Sequence, residues 1–191
     1  MSEEESIKLL GKWSFDEVEV TDLGLERYIS LRPVYIPHSG GRYQDQRFKK
    51  AEMNIVERFV NSLMRKEKNA GKKQRIINML KISFEIMNQR TGKNPIQILV
   101  DAICNVAPRE ETTRITFGGV VNHSAVDIAP LRRVDLALRF LAVAIKQQCF
   151  NNVKSAEEII AEELILAAND DGASRAVRKK QEMERIALSA R

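Results

Sequence analysis

The residues of this sequence whose grouping suggests chemistry are cations set beside glycines. "HSGGR", His38 to Arg42, and "NAGKKQR", Asn69 to Arg75, each place Gly next to Lys or Arg. That composition offers backbone amides and positive charge to phosphates. Neither stretch has the G-x-x-x-x-G-K-[ST] spacing of a nucleotide-cradling P-loop. What survives is contact with the phosphates of a nucleic-acid backbone, where geometry is less demanding, or an ordinary turn made soluble by charge.

Other chemistries find little support. His38 and His123 are the only histidines, one in a Pro/Gly loop and one in a β-prone run. No Ser or Cys stands in a pattern that would expose it to a base as a nucleophile. Cys104 and Cys149 lie far apart in apolar helical patterns, with neither zinc-ligand spacing nor a disulfide framework, and read as small core residues. The carboxylates of "SAEEIIAEELI" recur at helical intervals and read as a solvated helix face. No catalytic residue, metal site or cofactor is therefore expected.

The chain has 191 residues, 43% apolar and only 6% aromatic, so a core of Ile, Leu, Val and Met in one domain is expected. Its 31 Lys and Arg exceed its 26 Asp and Glu, for a net charge of +5. The signs are segregated. Glu3, Glu4, Glu5, Asp16, Glu17, Glu19 and Asp22 make the start acidic, whereas Arg42 to Lys50 and Arg65 to Lys81 are strongly basic. Such blocks are solvated faces or the footprint of a polyanion partner. No apolar run approaches the roughly 20 residues of a membrane span, and "MSEEESIKLL" is unlike a signal peptide. A soluble intracellular protein with no membrane partner is expected.

The elements that must position these cations are mostly helical. Gly11 to Asp22 alternates weakly and predicts a short extended segment packing through Trp13, Phe15, Val18 and Val20. Pro33, Pro37, Gly40 and Gly41 exclude regular helix before about Asp45 and predict a long basic loop. Ile55, Val56, Phe59, Val60 and Leu63 share a helix face, as do Ile76, Ile77, Leu80, Phe84 and Met87. Asn94 and Pro95 begin a third helix, as cap and first residue, which Pro108 closes. Pro130 begins a long helix to about Gln148, and Ser155 with Glu158 forms a capping box for another.

A last helix from about Ser174 sets Ala176, Met183, Ile186, Ala187 and Ala190 against Arg175, Arg178, Lys179, Lys180 and Arg185. Its apolar side is expected to dock on the body, leaving Arg178, Lys179 and Lys180 for RNA or a neighbouring protein. "TRITFGGVVNHSAVDI", Thr113 to Ile128, predicts a hairpin turning at Gly118-Gly119. Bracketed by Pro108 and Pro130, it should project from the body. The expected fold is mainly α: a single domain of about six helices with a protruding β-hairpin at about 111–128 and an N-terminal extension. Residues 1–48 form the extension and basic loop, and residues 49–191 the helical domain.

Several stretches taken together, "TGKNP", "APREETTRITFGG", "VDIAPLRRVDLALR", "AEELILAA" and "RKKQEMERIALSAR", resemble the small-subunit ribosomal protein seven family, collinearly from about Ile7 to Arg191. "GKWS", "PHSGGR" and "ERIALSAR" resemble its archaeal and eukaryotic branch, called protein five in eukaryotes. The resemblance implies a cytoplasmic, non-enzymatic constituent of the small ribosomal subunit. It implies binding to ribosomal RNA of the 3′ major (head) domain, nucleation of head assembly, and a place near the tRNA exit site, with tRNA, mRNA and neighbouring head proteins close by.

It also places RNA contacts on Arg42, Arg47, Lys49, Lys50, Lys72, Lys73, Arg114, Arg132 and Arg133, and the hairpin tip (Phe117, Gly118, Gly119 and Val120) near the exit site. Bacterial members carry more charge before the Gly pair, so contact at the ribbon's base is better supported than contact at its tip. Two alternatives stay open on the residues alone. One is an architectural DNA-binding protein with a β-ribbon arm. The other, an RNA-modifying enzyme, lacks a visible cofactor loop or nucleophile.

Overall fold

In the computed structural model, which describes residues 7–65 and 69–191, the order is α1 (Leu23–Glu26), a 3-10 turn (Lys49–Glu52), α2 (Ile55–Leu63), α3 (Lys73–Thr91), α4 (Pro95–Val106), β1 (Glu110–Phe117), β2 (Val120–Asp127), α5 (Pro130–Cys149), α6 (Ala156–Ala168) and α7 (Arg175–Ser189). Glu3, Glu4 and Glu5 lie outside the described residues, as do the side chains of Phe117 and Val120. Short polar side chains open the helices by accepting otherwise orphaned backbone N–H groups. Asn54 accepts from Val56, Asn94 from Ile96 with Pro95 in the first position, Ser155 from Glu158 and Ser174 from Val177. Of the expected capping box, the Ser155 half is formed.

The hydrophobic α6 lies at the centre, packed on α3, α4 and α5 through Ile159, Ile160, Ala161, Leu164 and Ala167. Side chains as fully buried as Phe59, Phe84, Leu99 and Leu141 each contribute on the order of 1.5–3 kcal/mol. α2 lies on α5, and α7 on α5 and the base of the hairpin.

Gly11 to Asp22 does not form the expected strand. Leu9 and Trp13 make a single bridge, and turns follow. An unpartnered strand would leave its N–H and C=O groups unsatisfied, and this segment finds local and side-chain partners instead. Leu9 N donates to Trp13 O at 2.8 Å, and Gln97 clamps both backbone groups of Glu19 at 2.9 and 3.0 Å. The packing expectation holds: Phe15 and Val18 are buried, Trp13 and Val20 half-buried, all in the same core as the helices.

Two readings of helix faces are corrected. The carboxylates of α6 are not all solvated. Glu163 is fully buried, accepting from Ser174 Oγ at 2.8 Å, from Ala176 N at 3.0 Å and from Gln148 Nε2. On α7 the docked stripe is Ala176, Lys180, Met183 and Ala187, at the i, i+4, i+7, i+11 spacing of one face. Lys180 reaches from that face to Asn105 O at 2.7 Å, while Ile186 is 48% exposed. Lys180 and Ile186 thus exchange the sides expected of them.

The hairpin pairs in register from Glu110 with Asp127 to Phe117 with Val120. Gly118 and Gly119 have φ of 58° and 82°, the two positive values a two-residue turn requires. Its base is anchored: Ala125 N donates to Ala190 O at 3.3 Å, Glu110 pairs with Arg191, and Ile128 N donates to Arg109 O at 3.0 Å. From Thr113 to Thr116 and Val121 to His123 it is exposed.

Candidate nucleic-acid interface

Beside its glycine pair the basic loop is held by a carboxylate. Pro37 and Ser39 are buried while Gly40, Gly41 and Arg42 are exposed. Ser39 donates from both its backbone N and its Oγ to Glu57 Oε1, each at 2.8 Å, and Lys73 Nζ meets the same oxygen at 2.5 Å. Glu57 on α2 thereby joins the loop to the first turn of α3. Burial alone would raise its pKa, but the Lys73 ammonium and the two Ser39 donors outweigh that and hold it below the usual carboxylate range. Beside it, Arg58 is 5% exposed, donating to Tyr28 O at 2.7 Å and Asp135 Oδ1 at 3.0 Å. Burial lowers its pKa, and Asp135 opposes that shift.

The cations singled out in the sequence divide into two sets. Lys50 pairs with Asp135 and Lys73 with Glu57. Arg132 makes a two-bond fork on Glu111 at 2.7 and 2.8 Å. Arg133 meets Asp22 at 2.9 Å and Pro108 O at 3.1 Å. Asp22 is driven up by burial, but the Gly24 N–H and Arg133 bring it below its ordinary value. Arg178 donates to the carbonyls of Ala173 and Ser174, Lys179 pairs with Glu182 at an exposed position, and Lys180 is bound to Asn105.

The other set is Arg42, Arg47, Lys49, Lys72 and Arg114, which have no carboxylate partner among the described residues and, unlike Arg178 and Lys180, are not held by a carbonyl on or beside the packed helices. Arg42 is steadied by Ser39 O at 2.9 Å and Arg47 lies 4.8 Å from the centre of the Phe48 ring. Arg114 stands opposite His123 on the exposed ribbon. The structure thus gathers Arg42, Arg47 and Lys49 in one loop, brings Lys72 to it through Glu57 and Lys73, and leaves Arg114 on the ribbon. Gly118 and Gly119 sit exposed at its turn. Sequence reasoning missed Glu57, Arg58 and Asp135. The only trace is that Glu57 and Arg58 interrupt no apolar periodicity, being flanked by Val56 and Phe59.

Among the described residues no cluster of His, Cys, Asp and Glu could hold a metal ion, and no helix is long and apolar enough to cross a membrane. A model of the family described as "Ribosomal protein S7p/S5e" matches residues 25–191. The chain belongs to that family. It is similar to the small ribosomal subunit protein uS7 of Methanosphaera stadtmanae, 48% identical over 185 residues, which cover 97% of this chain and 99% of the relative. That likeness puts it in the archaeal branch of the S7p/S5e family. The family is one of ribosomal structural proteins, so the chain is a ribosomal protein and not an enzyme. In this S7p/S5e protein the match reaches back to Leu25, taking in the second half of α1 and the basic loop as well as the helices that follow.

Proposed function

We propose that this protein binds ribosomal RNA of the 3′ major domain of the small subunit, nucleates assembly of the subunit head, and directs its β-ribbon toward the tRNA exit site. The observation that carries this reading is the set of cations without carboxylates, Arg42, Arg47 and Lys72 exposed and Lys49 half-buried, fixed to the body through Glu57. Phosphates take these first, because no internal ion pair has to be broken. Arg114 extends the basic surface onto the ribbon, and Lys50, Lys73, Arg132 and Arg133 act mainly by holding the surface in shape. Arg178, Lys179 and Lys180 lie on α7, where RNA or neighbouring head proteins are expected. Exit-site tRNA and mRNA lie beyond the Phe117 to Val120 tip, and the protein works in the cytoplasm as part of the small subunit. The relative is a small ribosomal subunit protein, which supports the subunit.

The test is the salt dependence of binding to a 3′ major-domain transcript. Each neutralised phosphate adds roughly 0.7 to 0.9 to the negative slope of log K against log salt. Replacing Arg42, Arg47, Lys49 and Lys72 with Gln should weaken binding and lower that slope by about 3. An unchanged slope would move the RNA to another face.

A further inference from the structure

A cleft of about 190 Å³ opens where the end of α2, the start of α3, the end of α5 and the start of α6 meet. Its floor is apolar, made by Ile76, Met79, Ile145 and Ile160. Its rim carries Lys72, Arg75 and Lys146, with the Asn69 amide beside them. None of the three cations has a carboxylate partner among the described residues, although Lys146 is half-buried.

Size and charge together select an occupant. A cavity of about 150 Å³ holds one benzene-sized ring, whereas pockets for drug-sized ligands begin at about 300 Å³. A helix laid in a groove needs anchors over two or more turns, longer than this cleft. One flat ring system flanked by negative charge fits the floor and the rim at once, and a nucleotide of an RNA strand has that chemistry. Location agrees: Lys73, next to Lys72, is tied through Glu57 to Ser39 of the basic loop, so the cleft mouth continues the surface assigned to RNA.

We propose that this cleft receives one unstacked base of the bound RNA, with the flanking phosphates on Lys72, Arg75 and Lys146. The inference rests on the RNA-binding reading above. The base lies against Met79 and the aliphatic floor, the Arg75 guanidinium offers a plane to stack on, and Asn69 reads a base edge. Sequence-specific RNA recognition commonly takes this form, with an unpaired base splayed out of its helix.

Cys149 lines the cleft and reports on it without any substitution. The unmodified protein is bound to the 3′ major-domain transcript, alkylated at alkaline pH, and mapped so that Cys149 and Cys104 are read separately, while the RNA is probed chemically base by base. Binding should slow alkylation of Cys149 several-fold and protect one unpaired base. Ala156→Phe, which fills the cleft from its rim, should re-expose that base and weaken binding roughly tenfold, as loss of a stacked base does, with the salt slope unchanged.

If the complex forms with its salt slope intact while Cys149 reacts at its free rate, the cleft inference is wrong and the RNA-binding reading stands. Failure to form any complex would remove both. Protection of Cys149 that arises only in assembled subunits, with crosslinks to a protein, would assign the cleft to an apolar side chain of an acidic neighbour and overturn the inference. Should Ala156→Phe fail to fold, the alkylation and base-protection results on the unmodified protein decide alone.

Discussion

The seam where α2 meets α3 and α5 and the outer half of the ribbon both present charge, yet one is closed and the other open. At the seam Glu57 and Arg58 are 4% and 5% exposed, and their charges meet Lys73 and Asp135 with geometry that also serves Ser39 and Tyr28. On the ribbon Arg114, Ile115 and Thr116 face solvent and the chain turns on two glycines. Charge at the seam sets where the basic loop stands, and charge on the outer ribbon faces solvent. If that division is right, substitutions at the seam cost stability, and those on the outer ribbon cost only binding.

The largest effect is expected from Glu57→Ala. It leaves the mostly buried Lys73 ammonium without its carboxylate and both Ser39 donors without an acceptor. Removing one partner of a buried pair costs about 3–5 kcal/mol, to be read from urea or thermal unfolding. Glu57→Gln keeps an acceptor for Ser39 and should cost less. The same group makes the seam sensitive to acid. Its folded pKa lies below the ordinary carboxylate value, so its contribution is complete above that value and is lost as pH falls through the folded pKa. Asp22 acts in the same direction. Unfolding followed from pH 7 down to pH 3 should therefore show stability falling with acid, and less steeply in Glu57→Gln.

Glu163 is the intermediate case, a buried carboxylate whose partners are all neutral donors on α5 and α7. Glu163→Ala should cost about 1–3 kcal/mol through the donors it strands, and Glu163→Gln less. A Glu163→Ala protein as stable as the parent would show that α7 docks without this carboxylate, and the closed half of the comparison would shrink to α2.

Local chemistry in the sequence was enough for most of the fold. Asn94 with Pro95, Ser155, Ser174 and the Gly118-Gly119 pair act on residues within three positions, so reading along the chain finds them. Glu57, Arg58 and Glu163 escaped because their partners lie far off: Ser39 is 18 positions from Glu57, Asp135 is 77 from Arg58, and Ser174 is 11 from Glu163. The four-residue α1 is too short for any periodicity. On α7 the composition misled, because a lysine stem can lie along a packed face while its ammonium reaches a carbonyl. Lys180 does this, and Ile186 is displaced to the rim. The candidate site was legible as charge but not as arrangement, since nothing local distinguishes the paired Arg132 and Arg133 from the unpaired Arg42 and Arg47. Ile186→Ala should accordingly change stability by no more than about 0.5 kcal/mol, where a buried isoleucine would lose about 2–5.

The smallest stability effect is expected at the ribbon, and there it is the most informative. Deleting Thr116 to Val121 and closing with a two-residue turn removes only outer residues. It keeps the Glu110 pair with Arg191, the Glu111 fork with Arg132 and the Ala125 bond to Ala190. Since these anchors all lie at the base, melting temperature and helicity should stay within the range of a surface change, about 0.5 kcal/mol. Affinity for the 3′ major-domain transcript should also stay close to that of the parent, because the loop cations and Lys72 are untouched. The effect should appear in assembled subunits instead, as altered retention of exit-site tRNA. Unfolding of the shortened protein in isolation would mean that the outer ribbon supports the body, and the contrast between a closed seam and an open ribbon would be lost.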